Sequence, residues 1–343
     1  MQMHAMLLEE VGKDLVSREI PVPEPGFGEI LVKVLACGVC ATDIKVASGA
    51  LDSQGLPRIL GHEPIGEIVK LGEGVSGFAV GDRIVSSTYV TCGRCKYCRQ
   101  GRESLCPNVT GRIGITCDGG FAEYMIIFAD NAVRVPDSVG NEACILACAA
   151  GVSMHALNGR IHVRPQDRVV IVGAGGVGIH SVQMASIMGA EVIAVDIDEK
   201  KLNLAKKYGA NHVINVRQEN YAEALKKLGG ANIIMDTVGF PASITESIDL
   251  IDPGGKMVLV AYGPGKMLET PLSTIVNKEV EIITSRGVTN LELRNLLRLV
   301  ENGKFIPVIE EEYPLDKIND VFTGLKENKI SARAVVTPWN ILP

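Results

Sequence analysis

Four of the nine cysteines in this 343-residue chain lie close together in the segment TCGRCKYCRQGRESLCPN. Zinc binds four thiolates in a tetrahedron at about 2.3 Å, and a short loop with this spacing can wrap one ion. Gly93 and Gly101 give the backbone the freedom that such a wrap needs. An iron–sulfur cluster is the competing interpretation. A set of surface thiols without a ligand is the other alternative, but four exposed thiols this close together would be prone to oxidation. The pattern C-x2-C-x2-C-x7-C therefore predicts a structural zinc site made of Cys92, Cys95, Cys98 and Cys106.

Two further segments carry residue types that bind zinc. Cys40 lies in GVCATD (38–43), and His62 with Glu63 lies in GHEPIG (61–66). A catalytic zinc usually keeps three protein ligands and one open position. Taken alone, Cys40 is more readily explained as a buried apolar thiol, and His62 as a loop histidine whose hydrogen bonds are satisfied. The two residues become informative only in context.

A glycine-rich turn follows the apolar run RVVIV and opens the stretch GIHSVQMASIMG. Glycines at this spacing permit a tight turn, a close approach to a pyrophosphate and close helix–strand packing. Asp196 ends the next apolar run, where a carboxylate accepts hydrogen bonds from the adenosine ribose and repels a 2′-phosphate. We therefore expect NAD rather than NADP, with Lys201 as a second ribose contact. The expected turn residues are Gly173, Gly175, Gly176, Val177 and Gly178.

The composition sets limits on the class of protein. The formal net charge of -6 argues against nucleic acid as a partner. The mean hydropathy is +0.20, yet no run of about 18 apolar residues predicts a membrane span. Parallel strands buried on both faces explain the apolar excess. The first residues, MQMHAMLLEE, do not form a secretory signal, so a cytoplasmic location is expected.

The order of apolar runs predicts two kinds of domain in an α/β chain. Residues 1–150 read mostly as short strands and turns. From about Val163, strands, glycine turns and helices alternate, which predicts a doubly wound parallel sheet. The stretch LELRNLLRLVENG reads as an amphipathic helix, and the chain closes after SARAVVTP.

Taken together, these segments resemble a zinc-dependent medium-chain alcohol dehydrogenase. The matching motifs are GVCATD (38–43), GHEPIGEIVKLGEGV (61–75), the four-cysteine lobe (92–106), DGGFAEY (118–124), VGAGGVG (172–178) and RAVV (333–336). The resemblance covers almost the whole chain. It implies a GroES-like, β-rich catalytic domain at 1–151 and 289–343, with a Rossmann NAD-binding domain inserted at 152–288.

The resemblance also implies a second, catalytic zinc. Its ligands would be Cys40, His62 and a residue of CILACAAGVSMHAL, which offers Cys144 and Cys148. Counting back from a helix start at MHAL favours Cys148. Glu63 would be an alternate ligand or a neighbour of the ligands.

Other roles follow from the same resemblance. Thr42 would bond the substrate oxygen and begin a proton relay, with Lys45 where the family often has histidine. Asp43 would orient His62, and Arg333 would bond the cofactor pyrophosphate. Zinc with an open position lowers the pKa of an alcohol, after which its carbon gives hydride to the nicotinamide.

The expected function is therefore reversible oxidation of a small alcohol to an aldehyde or ketone, with NAD and two zinc ions per chain. Polyol and amino-alcohol dehydrogenases of the same superfamily remain alternatives, although they commonly have an acidic third ligand where Cys148 stands. Cys40 and His62 disfavour the zinc-free quinone reductases. A non-enzymatic NAD-binding structural or interaction protein is the alternative from another class. We expect a homotetramer, or otherwise a homodimer, paired through the strand VEIITSRG.

Overall fold

The computed structural model describes residues 1–339. Within these residues, no helix combines the length and the apolar character that crossing a membrane requires. The strands, in chain order, are β1 (Gln2–Leu8), β2 (Val16–Pro21), β3 (Glu29–Val39), β4 (Arg58–Ile59), β5 (Glu63–Leu71), β6 (Arg83–Ser86), β7 (Tyr89–Val90), β8 (Gly111–Arg112), β9 (Tyr124–Phe128), β10 (Ala132–Arg134), β11 (Arg168–Val172), β12 (Glu191–Asp196), β13 (His212–Asn215), β14 (Ile233–Asp236), β15 (Lys256–Leu259), β16 (Glu281–Thr284), β17 (Ile309–Pro314) and β18 (Arg333–Thr337).

Helices are concentrated in the second half of the chain. They are α1 (Ala41–Ala47), α2 (Lys96–Arg99), α3 (Ala149–Met154), α4 (Gly176–Ile187), α5 (Glu199–Lys207), α6 (Tyr221–Lys227), α7 (Pro241–Leu250), α8 (Leu272–Lys278), α9 (Asn290–Glu301) and α10 (Ile318–Lys326). The amphipathic stretch predicted from the sequence is α9, which Thr289 and Glu292 start with a reciprocal capping box.

The chain divides into two compact units. One contains Met1–Gly151 together with the residues from Gly287 onward, and the other contains Val152–Arg286. The inserted unit thus ends two residues before the expected bound of 288. The last four positions of the expected catalytic domain, 340–343, lie outside the described residues.

The inserted unit is built on a parallel sheet of six strands in the order β13-β12-β11-β14-β15-β16. The strands are short Val- and Ile-rich runs, and residues 169–172 and 192–195 are buried throughout. Burial on both faces is what helices packed above and below a parallel sheet require. The predicted doubly wound sheet is confirmed, and its order places a topological switch point between β11 and β14.

The other unit is β-rich. Its largest sheet has the order β10-β6-β5-β3-β18-β17, with β9 also pairing with β3. The long strand β3 lies at the centre, antiparallel to β5 and to β18. This pairing brings residues from distant parts of the sequence to one end of the sheet, because Gly38 lies opposite Glu63 and Val39 opposite Ala334.

The helix that leads into the inserted unit begins earlier than expected. We expected a helix start at MHAL, but α3 begins at Ala149, directly after Cys148. It changes to π-helical hydrogen bonding at His155–Arg160. Cys148 therefore stands immediately before a helix, between it and the 3₁₀ turn Asn141–Ala147.

Candidate metal centres and cofactor site

The four cysteines of the lobe converge as the spacing predicts. The Sγ–Sγ distances are 3.5 Å for Cys95–Cys98, 3.9 Å for Cys95–Cys106 and 3.5 Å for Cys92–Cys106. A tetrahedron of sulfurs at about 2.3 Å from its centre has edges of about 3.8 Å. The donor set therefore fits a zinc ion with every position filled by sulfur.

Local backbone geometry prepares this lobe for thiolates. Gly93 and Gly101 have φ angles of +65° and +67°, which non-glycine residues rarely adopt. The backbone N–H groups of Arg94 and Cys95 point at the Cys92 sulfur and lower its pKa to about 6. A thiolate is the form that binds metal, so these N–H groups favour at Cys92 the charge state that zinc requires.

A second group of metal-binding atoms lies in the same unit. The ligand atoms of Cys40, His62, Glu63 and Cys148 all lie within 4.8 Å of one another. Cys40 is the N-cap of α1 just past the end of β3, and Glu63 begins the neighbouring strand β5. Antiparallel pairing of these strands, with Cys148 at the start of α3, assembles the set that the motifs predict.

The orientation of His62 is the clearest sign that this group binds a metal. Its Nδ1 lies 2.9 Å from Oδ1 of Asp43, whose other oxygen accepts the backbone N–H of Cys40 at 2.8 Å. Its Nε2 is buried and, among the described residues, makes no hydrogen bond; the Oε1 atom of Glu63 lies 3.6 Å away, beyond hydrogen-bond distance. A buried ring nitrogen without a partner costs free energy unless a ligand satisfies it. The donor set therefore fits a zinc ion bound through Nε2, with Asp43 fixing the tautomer.

The two thiols of this set interact directly. Cys148 hydrogen-bonds to Cys40, and this bond, opposed by burial and helped by Arg333 and His62, holds the pKa of Cys40 well below its usual value. The same interaction, together with burial, raises the pKa of Cys148. Metal binding requires thiolates, so a cation bound between these two sulfurs would displace their protons.

Glu63 and Arg333 form a buried ion pair beside these ligands. Nη2 of Arg333 lies 2.7 Å from Oε1 of Glu63, and the Arg333 and Glu63 side chains are 6% and 0% exposed. Burial raises the pKa of Glu63 to about 7 although Arg333 opposes the shift. Gly38 makes room for the pair, since a Cβ there would lie 2.3 Å from Oε2 of Glu63. Sequence reasoning missed this pair, because no local pattern links two residues that are 270 positions apart.

Other expected residues have different positions in the structure. Thr42 and Lys45 both lie on α1, shortly after its N-cap residue Cys40, and are half-buried. Arg333 donates to Glu63 and, at 3.7 Å, to the sulfur of Cys148. Its expected contact with a pyrophosphate and the relay roles of Thr42 and Lys45 stay predictions.

The contact between Asp43 and His62 leads to a first prediction. Replacing Asp43 by asparagine removes the charge that orients the imidazole, so zinc affinity at this centre should fall by about 10- to 100-fold. Competition with a chelator measures this, with the four-cysteine lobe as an internal reference. Asp118→Asn is the matched control, because Asp118 also accepts a backbone N–H, that of Ile59, outside the ligand set. Equal zinc affinity in Asp43→Asn and the native chain would contradict the role of Asp43.

The glycine motif of the inserted unit forms the predicted turn. Gly173 has a φ angle of +86°, and Gly175 is the N-cap of α4. A Cβ at Gly178 would lie 1.7 Å from the carbonyl oxygen of Gly173, so only glycine allows the helix to start this close to the strand. Helix α4 begins at Gly176, and the N–H groups of its first turn have no acceptor within the helix. Such N–H groups form a site for an anion.

Asp196 lies beside this turn at the end of β12. Its Oδ2 accepts the backbone N–H of Ala174 at 2.7 Å, and its Oδ1 accepts those of Ile197 and Asp198. These bonds fix the carboxylate next to the turn. Lys201 lies on α5 and is only 7% exposed.

The comparisons with known proteins agree with this geometry. Residues 26–137 match a model of the alcohol dehydrogenase GroES-like domain, and residues 176–302 match one of zinc-binding dehydrogenases. The predicted GroES-like and Rossmann-type fold is confirmed.

Individual relatives match along nearly the whole chain. An alcohol dehydrogenase of Geobacillus stearothermophilus is 36% identical, over 97% of this chain and 99% of the relative. A cobalt- and zinc-bound thermostable alcohol dehydrogenase from Pyrobaculum aerophilum is 28% identical with a TM-score of 0.91, over 98% and 100% of the two chains. An acetophenone reductase from Geotrichum candidum in complex with NAD is 26% identical with a TM-score of 0.89, over 99% and 98%. The chain therefore belongs to the zinc-dependent medium-chain alcohol dehydrogenases, with zinc and NAD as its cofactors.

Proposed function

We propose that Cys40, His62 and Cys148 hold the catalytic zinc and that an alcohol is oxidised reversibly to an aldehyde or ketone at this centre. The observation that carries the proposal is the buried Nε2 of His62, which lacks a hydrogen-bond partner among the described residues. It lies in one group with the thiols of Cys40 and Cys148, whose sulfurs are within 4.8 Å of it. When bound, zinc supplies Lewis-acid chemistry that lowers the pKa of an alcohol near its open position.

The chain's own residues handle the proton. Thr42 follows Cys40 by two positions on α1, so we assign its hydroxyl the first hydrogen bond to the substrate oxygen. Lys45 lies one helical turn further along and is half-buried. It passes the proton toward solvent in this proposal. The lysine at this position distinguishes this chain from family members that have a histidine at the outer end of the relay.

Glu63 and Arg333 contribute opposite charges beside the proposed ligands. The two thiolates and the Glu63 carboxylate would place three negative charges in one buried site, and the Arg333 guanidinium offsets part of that charge. Burial of an unpaired carboxylate would cost several kcal/mol. Glu63 serves as the alternate zinc ligand in this proposal. In this proposal Arg333 also bonds the cofactor pyrophosphate.

NAD binds the inserted unit through its adenosine and pyrophosphate. We assign the pyrophosphate to the turn at Gly173, Gly175 and Gly178 and to the first N–H groups of α4. Asp196 accepts hydrogen bonds from the ribose hydroxyls and repels the extra phosphate of NADP, and Lys201 is the second ribose contact.

A panel of primary, secondary, cyclic and polyol alcohols tests this function. The zinc-loaded protein should form NADH with at least one simple alcohol and should prefer NAD to NADP. Turnover confined to polyols or amino alcohols would instead support that branch of the family, against the expectation from Cys148. Binding of NADH without turnover of any alcohol or carbonyl compound would favour a non-enzymatic role.

The outer edge of the parallel sheet supports a homo-oligomer. Strand β16 ends the strand order, and no other strand of residues 1–339 pairs with its free edge. Glu281, Ile282 and Thr284 on it are exposed. An unpaired, partly apolar edge extends readily into a second sheet. We predict a homotetramer, or otherwise a homodimer; a monomer in gel filtration with light scattering would overturn the prediction.

A further inference from the structure

The geometry points to Thr237 as a positioning residue for NAD. Its hydroxyl donates to the carbonyl oxygens at the turn of the glycine motif, 2.9 Å from that of Val172 and 3.0 Å from that of Gly173. Thr237 is therefore proposed to act on the cofactor through the glycine turn and not by binding NAD itself. The inference rests on the proposed binding of NAD at the glycine motif.

The hydroxyl acts on one peptide plane. Because the peptide unit is planar, fixing the carbonyl oxygen of Gly173 also fixes the direction of the N–H of Ala174 in the same unit. That N–H donates to Oδ2 of Asp196 at 2.7 Å. A continuous chain of hydrogen bonds therefore runs from Thr237 through the Gly173–Ala174 peptide to the carboxylate assigned to the ribose.

The glycine turn also lies flat against Thr237 and its neighbour. A Cβ added to Gly173 would lie 2.7 Å from Oγ1 of Thr237 and 2.6 Å from Cγ2 of Val238. Oγ1 of Thr237 would also lie 3.4 Å from a Cβ at Gly178, where the turn leaves no room for a side chain. The hydroxyl thus lies where the glycine turn closely approaches both the loop after β14 and the first turn of α4.

The loop that carries Thr237 is itself held firmly. The buried carboxylate of Asp236 accepts the backbone N–H groups of Val238 and Gly239 at 3.1 and 2.6 Å, and the hydroxyl of Ser243 at 3.2 Å. Thr237 is also anchored through its backbone N–H, 3.0 Å from the carbonyl oxygen of Val172. Because these hydrogen bonds fix the loop, the Thr237 side chain can restrict the movement of the neighbouring glycine turn.

The position of this loop in the sheet explains why the contact matters. Thr237 follows β14 and Gly173 follows β11, the two strands on either side of the topological switch point. Ligands of open α/β sheets bind in the crevice outside the carboxyl ends of the strands at such a point. A turn that is preorganised there binds the cofactor with a smaller loss of conformational freedom.

Titration of NADH fluorescence with the full-length, zinc-loaded protein tests the inference. Thr237→Val keeps the shape of the side chain and removes the hydroxyl, so the Kd for NADH should rise roughly five- to tenfold. Thr237→Ser restores the hydroxyl and should stay within about twofold of the native Kd. ADP-ribose carries the pyrophosphate but no nicotinamide. Its Kd for Thr237→Val should rise by the same factor as that of NADH. In turnover, KM for NAD should rise while kcat at saturating NAD stays unchanged.

Thr245→Val is the matched control, because Thr245 also donates its hydroxyl to a carbonyl oxygen in this unit, that of Glu269, away from the glycine turn. An unchanged Kd in Thr237→Val would overturn the inference, and so would an equal loss in Thr237→Ser or in the control. Failure of the native chain to bind NADH would instead overturn the proposed function.

Discussion

Replacing Cys40 by alanine is expected to lower the zinc content from two ions per chain to one and to remove alcohol turnover. In the proposed centre Cys40 would supply one of the two thiolates, beside His62, whose buried Nε2 makes no hydrogen bond among residues 1–339. Loss of the metal removes several kcal/mol of transition-state stabilisation, so turnover should fall by roughly a thousandfold or more. Metal analysis and NADH formation, measured on the same sample, check both parts.

Cys37→Ala is the matched control for this experiment. Cys37 lies three residues earlier on β3 and is fully buried, but it belongs to neither group of metal-binding atoms found in the described part of the chain. The control should keep two zinc ions and its turnover. Two zinc ions with native turnover in Cys40→Ala would exclude this centre as the site of the reaction.

The second large effect is expected at the four-cysteine lobe, where a substitution should lower stability but leave turnover in place. Cys95→Ala breaks a set in which sulfur fills all four positions, so the lobe should lose its zinc and its shape. Because binding at a structural site contributes directly to folding, the loss should lower stability by several kcal/mol and the melting temperature by about 10 °C. The remaining folded protein should still oxidise alcohols, since the other centre keeps its ligands.

Arg94→Ala controls for disturbance of the same loop. Arg94 is exposed and lies between two of the cysteines, so its loss should leave both zinc ions and the melting temperature unchanged. A variant Cys95→Ala that melts like the native chain but no longer turns over would assign the chemistry to the lobe. That outcome would reverse the roles of the two centres.

The metal centres could be predicted because their information is local. The four lobe cysteines lie in one short loop, and Cys40 and His62 each lie in a compact motif. Cys148 needed the family resemblance, because the sequence also offered Cys144, which the structure buries outside the ligand group. The expected helix start at MHAL was wrong for the same reason, since apolar small residues around Cys148 mark no boundary.

The contacts that support these centres could not be predicted. Glu63 and Arg333 meet only because β3 pairs with β5 on one side and with β18 on the other. Thr237 and Gly173 meet because β11 and β14 are neighbours in the parallel sheet. Strand order and register decide such contacts, and no local pattern in the residues themselves encodes them.

We propose that four sulfurs close the coordination of one zinc, while the other zinc keeps a position for substrate. Zinc X-ray absorption of the native protein tests this most directly, because it counts sulfur and lighter ligands around the average ion. We predict an average of about three sulfurs and one nitrogen or oxygen per zinc, from one site of four thiolates and one site with two thiolates, an imidazole and an oxygen. An average of four sulfurs per zinc would leave no open position and would contradict the account.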